Sequence, residues 1–210
     1  MSADITLAEM LLQIESIKLN VEKPFTWASG WKSPIYCDNR KALAFTEVRN
    51  FIKKELAVLV KNNFDEIDII AGVATAGISW GTLLADELEL PFCYVRPEPK
   101  AHGLANQIEG NYKAGQKVLV IEDLISTGKS SLKVIQALNK AELNVKGLVS
   151  IFNYGFDEAI ENFKTENVPA FSITNYKALL KIAIEKNLIK DSELNQLNNW
   201  RKNPSSWDIK

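Results

Sequence analysis

Apolar residues in this chain fall into short solid runs separated by longer periodic stretches. Leu7, Leu11, Ile14 and Ile17 recur near helical spacing and predict a first helix over 5–17. Val48, Phe51, Ile52, Leu56 and Leu59 share one face of a second, over 46–60. Solid apolar runs at 67–71, 92–96, 117–121, 145–152 and 170–173 predict buried strands. Periodic stretches between them predict helices over 78–88, 129–141 and 157–167. Thr174 is the expected cap of a helix ending near Lys186, and a short helix from about Asp191 precedes the tail NPSSWDIK. The aromatic, breaker-rich stretch KPFTWASGWKSPIYCDNR at 23–40 reads as a strand or hairpin piece outside the main fold. The stretch 97–112 has almost no apolar period and is expected to be a long loop, of the kind that is functional or mobile.

Strands alternating with helices predict an α/β fold, a central parallel sheet flanked by helices. Ligands of such sheets sit at the carboxyl ends of the strands, so the segments after Ala71, Val95 and Ile121 are the ones to inspect.

Composition narrows the picture. The chain has 210 residues, 46% of them hydrophobic, which suits a single domain over 1–210. A formal net charge of −1 carries no bulk electrostatic footprint for nucleic acid. No apolar run is long enough to span a membrane, and the start MSADITLAEMLLQIESI lacks the basic opening and apolar block of a signal peptide. Cys37 and Cys93 stand alone without a CxxC, so a reducing, cytoplasmic setting is expected.

The stretch VLVIEDLISTGKSS, from Val118 to Ser131, ends like an ATP-binding P-loop. A P-loop needs a glycine five residues before Gly128, and that position is Asp123. Glu122 and Asp123 suit hydroxyl groups or a metal ion, not phosphate. After them Ser126, Thr127, Gly128 and Lys129 offer hydroxyls and backbone N–H groups at a helix N-terminus, a seat for one phosphate. Acids for sugar hydroxyls followed by a phosphate nest describe a ribose 5-phosphate site. A second strand-to-helix turn, Gly72, Val73, Ala74, Thr75, Ala76 and Gly77, can direct backbone N–H groups at an anion. Arg96, Lys100 and His102 place three potential cations within seven residues of the long loop.

The stretch at 118–131 resembles the phosphoribosyl diphosphate (PRPP) signature of the type I phosphoribosyltransferases. The loop with Arg96, Lys100 and His102, and the pattern FTWASGWKSP from Phe25 to Pro34, resemble those of the orotate phosphoribosyltransferases. The resemblance runs from the first helix to about Asn153. It implies a type I phosphoribosyltransferase-like fold with a small N-terminal hood, formed mainly by about 18–42 with C-terminal residues as candidates. It implies transfer of the phosphoribosyl group from PRPP to N1 of orotate, giving orotidine 5′-monophosphate and diphosphate. PRPP would be held by Arg96, Lys100, His102, Glu122, Asp123, Leu124, Ile125, Ser126, Thr127, Gly128, Lys129 and Ser130. The turn 72–77 would be the diphosphate loop. Lys100, His102, Arg96 and Asp123 are the implied catalytic residues, and Ser126, Lys32, Tyr36 and Cys37 the implied orotate contacts. Mg²⁺ would enter with PRPP, with Asp123 as its candidate protein ligand. The resemblance also implies a homodimer in which each catalytic loop serves the neighbouring subunit.

The chain departs from the pattern at three places. Pro97 follows Arg96 where some members have lysine, and Ala28 replaces another lysine. The loop FNYGFDEA carries no arginine where some members hold orotate's carboxylate. Backbone N–H groups of the hood, Ser126 and Lys32 are the candidates for that task. The alternatives are a purine-base phosphoribosyltransferase, against which the 25–34 pattern speaks, and a non-catalytic PRPP sensor that binds nucleic acid, which would want a basic face.

Overall fold

The computed structural model describes residues 2–27, 29–98 and 107–207. Helix α1 (Ala3–Gln13) leads into β1 (Ile17–Leu19), β2 (Phe25–Thr26), β3 (Lys32–Ser33), β4 (Ile35–Cys37) and a 3₁₀ turn (Asn39–Ala44). Then follow α2 (Thr46–Asn63), β5 (Ile69–Val73), α3 (Ala76–Leu88), β6 (Phe92–Val95) and β7 (Ile108–Glu109). The chain continues with β8 (Lys117–Ile125), α4 (Lys129–Lys140), β9 (Asn144–Asn153), α5 (Asp157–Thr165), β10 (Ala170–Asn175), α6 (Tyr176–Glu185) and α7 (Leu194–Lys202).

One six-stranded sheet runs in the order β10-β9-β8-β5-β6-β7, parallel except for the antiparallel edge pair β6–β7. Its strands are nearly solid apolar runs because both faces are covered. Successive residues of β8 serve opposite faces: Leu119 and Ile121 join the core formed with α1, α2, α3, α6 and α7, and Val118 and Val120 the core under α4 and α5. β1 pairs with β4 and β2 with β3, both antiparallel, outside the main sheet. Among the described residues no helix is long and apolar enough to cross a membrane.

Four expectations change. The first helix stops at Gln13, and Ile17 opens β1 opposite Cys37. Ile17 is buried all the same, because a strand residue can fill the same core as the helix before it. The 97–112 stretch contains β7, whose Ile108 and Glu109 pair with Val95 and Tyr94. Two residues are too few to show a strand period. Thr174 does not cap α6; its hydroxyl donates to the Asp4 carbonyl at 2.7 Å, while the Asn175 side chain accepts from the Ala178 N–H at 3.1 Å. Finally, β8 runs on to Ile125, so Glu122 and Asp123 lie within the strand rather than at its end. Pairing with β9 carries it past them, with Glu122 opposite Ser150 and Leu124 opposite Phe152.

Candidate active site

β5 and β8 are paired only as far as Gly72 and Ile121. Beyond that point β5 turns into α3, β8 continues beside β9, and the chain order reverses between the two strands. A crevice opens there, the expected position for a ligand in a doubly wound sheet. A cavity of about 250 Å³ fills it, lined by Val73, Ala74, Thr75 and Ala76 from one side and by 122–131 from the other. The two loops singled out in the sequence therefore face each other across one site.

Gly72 and Gly77 are required by close packing rather than by an unusual φ. A Cβ on Gly72 would lie 2.7 Å from the Gly77 carbonyl oxygen, and one on Gly77 would lie 2.6 Å from that of Ile121. Backbone against backbone leaves nothing flexible to give way. The Ala74 N–H donates to the Val95 carbonyl at 3.0 Å, which fixes the start of the turn on β6.

The opposite loop is equally held. Gly128 has φ +77°, and a Cβ there would meet the Phe163 ring at 2.9 Å. Asn162 Nδ2 donates to the Thr127 carbonyl at 2.9 Å. No side chain caps α4, and its first turn carries no acid. Its first N–H groups lack intrahelical partners, and the positive end of the helix dipole is uncancelled at the cavity. Lys129 lines the cavity, but its ammonium pairs with Glu158 of α5 at 2.6 Å. Backbone N–H groups and the hydroxyls of Ser126, Thr127 and Ser130 are the stronger anion donors.

Glu122 is buried, with Oε2 accepting from Ser131 Oγ at 3.3 Å and Oε1 from the Asp123 N–H at 3.1 Å. Burial, and then the charge of Asp123, hold the Glu122 carboxyl well above the usual carboxylate range. Burial also raises Asp123, opposed by its contact with Glu122 and by the Arg40 guanidinium. Two adjacent desolvated carboxyl groups favour hydrogen-bond donors or a cation beside them. Among the described residues, no group of three or more His, Cys, Asp and Glu side chains is placed to hold a metal ion.

Arg96 lies beside this cavity. It lines a recess of about 130 Å³ with Val73, Ala74, Gln107, Ser130 and Lys133. Its guanidinium is 3.6 Å from Glu109, and its backbone N–H and carbonyl both bond to Gln107, at 2.9 and 3.0 Å. Gln107 and Glu109 thus set where Arg96 stands. Lys100 and His102 lie outside the described residues.

The four implied orotate contacts are spread out. Ser126 lines the cavity. Lys32 is exposed and donates to Thr26 Oγ1 at 2.7 Å across the β2–β3 pair. Tyr36 is 41% exposed, with its ring 5.7 Å from that of Phe25. Cys37 approaches the acids through Asn39: its thiol donates to Asn39 Oδ1 at 3.4 Å, and Asn39 Nδ2 donates to the Asp123 carbonyl at 2.8 Å. Burial, then the charges of Asp123 and Asp38, push the Cys37 thiol well above its ordinary pKa. Asn39, Ser131 and Arg40 were not singled out in the sequence. Ser131 follows Ser130 in the motif, but nothing local marks Asn39 as buried.

Comparison with known proteins identifies the family. Residues 45–165 match the phosphoribosyl transferase domain family. The chain is 52% identical over 201 residues to the orotate phosphoribosyltransferase of Bacteroides thetaiotaomicron, covering 96% of this chain and 95% of that one. The crystal structure of orotate phosphoribosyltransferase from Aeropyrum pernix matches with a TM-score of 0.76 at 28% identity, over 88% of this chain and 99% of that one. Leishmania donovani UMP synthase matches with a TM-score of 0.78 at 25% identity, over 95% of this chain but only 43% of that longer one. With the fold, the two facing loops and full-length relatives in agreement, the chain belongs to the phosphoribosyltransferase family and, within it, to the orotate phosphoribosyltransferases.

Proposed function

We propose that this chain transfers the phosphoribosyl group of PRPP to N1 of orotate, releasing diphosphate and forming orotidine 5′-monophosphate. One observation carries the reading: a single cavity joins an acid pair, an uncapped helix N-terminus and a glycine-bracketed turn. These suit the hydroxyls, the 5-phosphate and the diphosphate of one PRPP molecule.

Breaking the C1–O bond of PRPP leaves positive charge on the ribose ring and negative charge on the departing diphosphate. Glu122 and Asp123 meet the ribose hydroxyls through hydrogen bonds, and Asp123 sets negative charge near the cationic ring. Thr127, Gly128, Lys129 and Ser130 hold the 5-phosphate through N–H and hydroxyl groups. The turn 72–77 seats the diphosphate, with Arg96 beside it and Lys100 and His102 as further cations. The strand pairs β1–β4 and β2–β3 act as a hood that excludes water from the reacting carbon. Ser126, Lys32, Tyr36 and Cys37 hold orotate. Orotate is already acidic at the ring and carries a carboxylate, so Asp123 serves as a hydrogen-bond acceptor rather than a strong base.

The acid pair fits an Mg²⁺ ion shared with substrate, because that ion takes one or two carboxylates together with phosphate oxygens. Bound with PRPP, Mg²⁺ would neutralise diphosphate charge. Asp123 is its candidate protein ligand. The same reading includes a homodimer whose catalytic loops act in the partner subunit, and a cytoplasmic setting in keeping with two free cysteines.

The test is a PRPP-dependent loss of orotate absorbance by the purified chain, with adenine, hypoxanthine and xanthine in parallel. Turnover of orotate alone is expected. Turnover of a purine base instead would overturn the assignment.

A further inference from the structure

We infer that Asn39 is a positioning residue that ties the seating of the base to the setting of the acid pair. The inference rests on the reading above and adds to it a residue that touches no substrate. Asn39 is fully buried at the start of the 3₁₀ turn that follows β4. Its Nδ2 reaches across 84 residues of sequence to the Asp123 carbonyl at 2.8 Å, while Oδ1 accepts from the Cys37 thiol at 3.4 Å. One carboxamide thus joins a proposed orotate contact to a proposed ribose contact.

The segment around it is held firmly enough for that bridge to carry position. The Asp38 N–H donates to the Ser16 carbonyl at 2.8 Å, and Ser16 Oγ returns a bond to the Asp38 carbonyl at 2.7 Å. Asp38 also grips the Arg40 guanidinium in two bonds, at 2.7 and 3.1 Å. At Asp123, β8 has lost β5 as a neighbour, because the last β5–β8 pair is Gly72 with Ile121. Asn39 supplies a fixed contact where the sheet supplies support only from β9. The geometry of the bridge depends on a donor at Nδ2. An aspartate of the same shape would turn acceptor against acceptor and add charge beside a carboxylate that is already desolvated.

The test is a double-mutant cycle read in steady-state kinetics with Mg²⁺, PRPP and orotate. Asn39→Ala is expected to lower kcat/KM by at least about tenfold, the worth of a buried hydrogen bond left unmade. In the Asp123→Asn background the same change is expected to cost less than about threefold, because the group it positions is already compromised. Equal losses in both backgrounds would show a merely structural role and overturn the inference. Near-UV circular dichroism confirms that each variant is folded. Should Asn39→Ala not fold, the isosteric Asn39→Asp carries the same comparison, and wild-type activity in that variant also overturns the inference. If Asp123→Asn alone leaves activity intact, the reading of the acid pair fails, a result distinct from either outcome for Asn39.

Discussion

The indole Nε1 of Trp200 donates to the backbone carbonyl of Lys32 at 3.1 Å, which ties the last helix of the chain to β3 near its beginning. Trp200 is fully buried among four other aromatic rings. Its centroid lies 5.8 Å from Trp27, 5.7 Å from Tyr154, 5.4 Å from Phe156 and 5.5 Å from Tyr176. Trp200→Ala should therefore cost about 3–5 kcal/mol in urea unfolding, the usual toll of emptying a large aromatic site. Trp200→Phe should cost less, since it keeps most of the packing and loses the bond to Lys32. Lys32→Ala should leave stability nearly unchanged, because the bond uses its backbone.

The acid pair should cost the ligand-free protein stability at high pH. Glu122 holds its proton more tightly folded than unfolded, since burial and Asp123 raise it above the usual 4.5. Between the unfolded and the raised folded value the native state binds more protons, so stability falls as pH rises through that window. Glu122→Gln removes this loss and can keep both local contacts, donating to Ser131 and accepting from the Asp123 N–H. The ligand-free variant should be more stable than wild type at about pH 8 by on the order of 1 kcal/mol, or ~2–4 °C in Tm. Thermal melts across pH should show the difference shrinking toward the acid end. Activity should fall in the same variant.

Gly77→Ala should damage both fold and site. The added methyl would meet the Ile121 carbonyl oxygen at 2.6 Å, and only backbone movement relieves that contact. We expect a loss of about 1–3 kcal/mol in stability. The KM for PRPP should rise as well, because the turn proposed to seat the diphosphate is pushed away from β8. A variant that keeps both wild-type stability and wild-type KM would contradict the packing argument.

Lys100→Ala should lower kcat far more than it weakens PRPP binding, because a loop cation in the proposed role, meeting the departing diphosphate, would act mainly in the transition state. Comparing kcat with PRPP binding measured by calorimetry checks this, and a raised KM with unchanged kcat would rule the role out. If the loop serves the neighbouring subunit, mixing the impaired Lys100→Ala and Asp123→Asn chains should raise activity well above that of either variant alone. Verified mixed dimers without recovery would place the loop in its own subunit.

The main strands and helices were legible because their signals are local. A buried strand such as β8 reads as a solid apolar run, and α2 shows its buried face in Val48, Ile52 and Leu56. The glycines at 72, 77 and 128 and the acids at 122–123 were legible for the same reason: each motif is a short contiguous stretch, on a strand-to-helix turn or on the strand just before it. The errors came where neighbours decide. β8 outlasts its apolar run because β9 continues beside it, and β7 exists because β6 offers an edge. Asn175 rather than Thr174 caps α6, because the Thr174 hydroxyl is bonded to Asp4 of α1.

By itself the sequence determined the alternation of strand and helix, the two loops that meet at one cavity and the kind of chemistry they hold. Those features are written in contiguous residues whose types and spacing have few other uses. Only the tertiary structure decided how the acids and the β2–β3 pair are supported: Asn39 behind Asp123, Ser131 on Glu122, and Trp200 on the backbone of Lys32. Asn39 and Trp200 act across 84 and 168 residues of chain. A buried polar group is defined by the partner it finds after folding, and no local pattern records which partner that is.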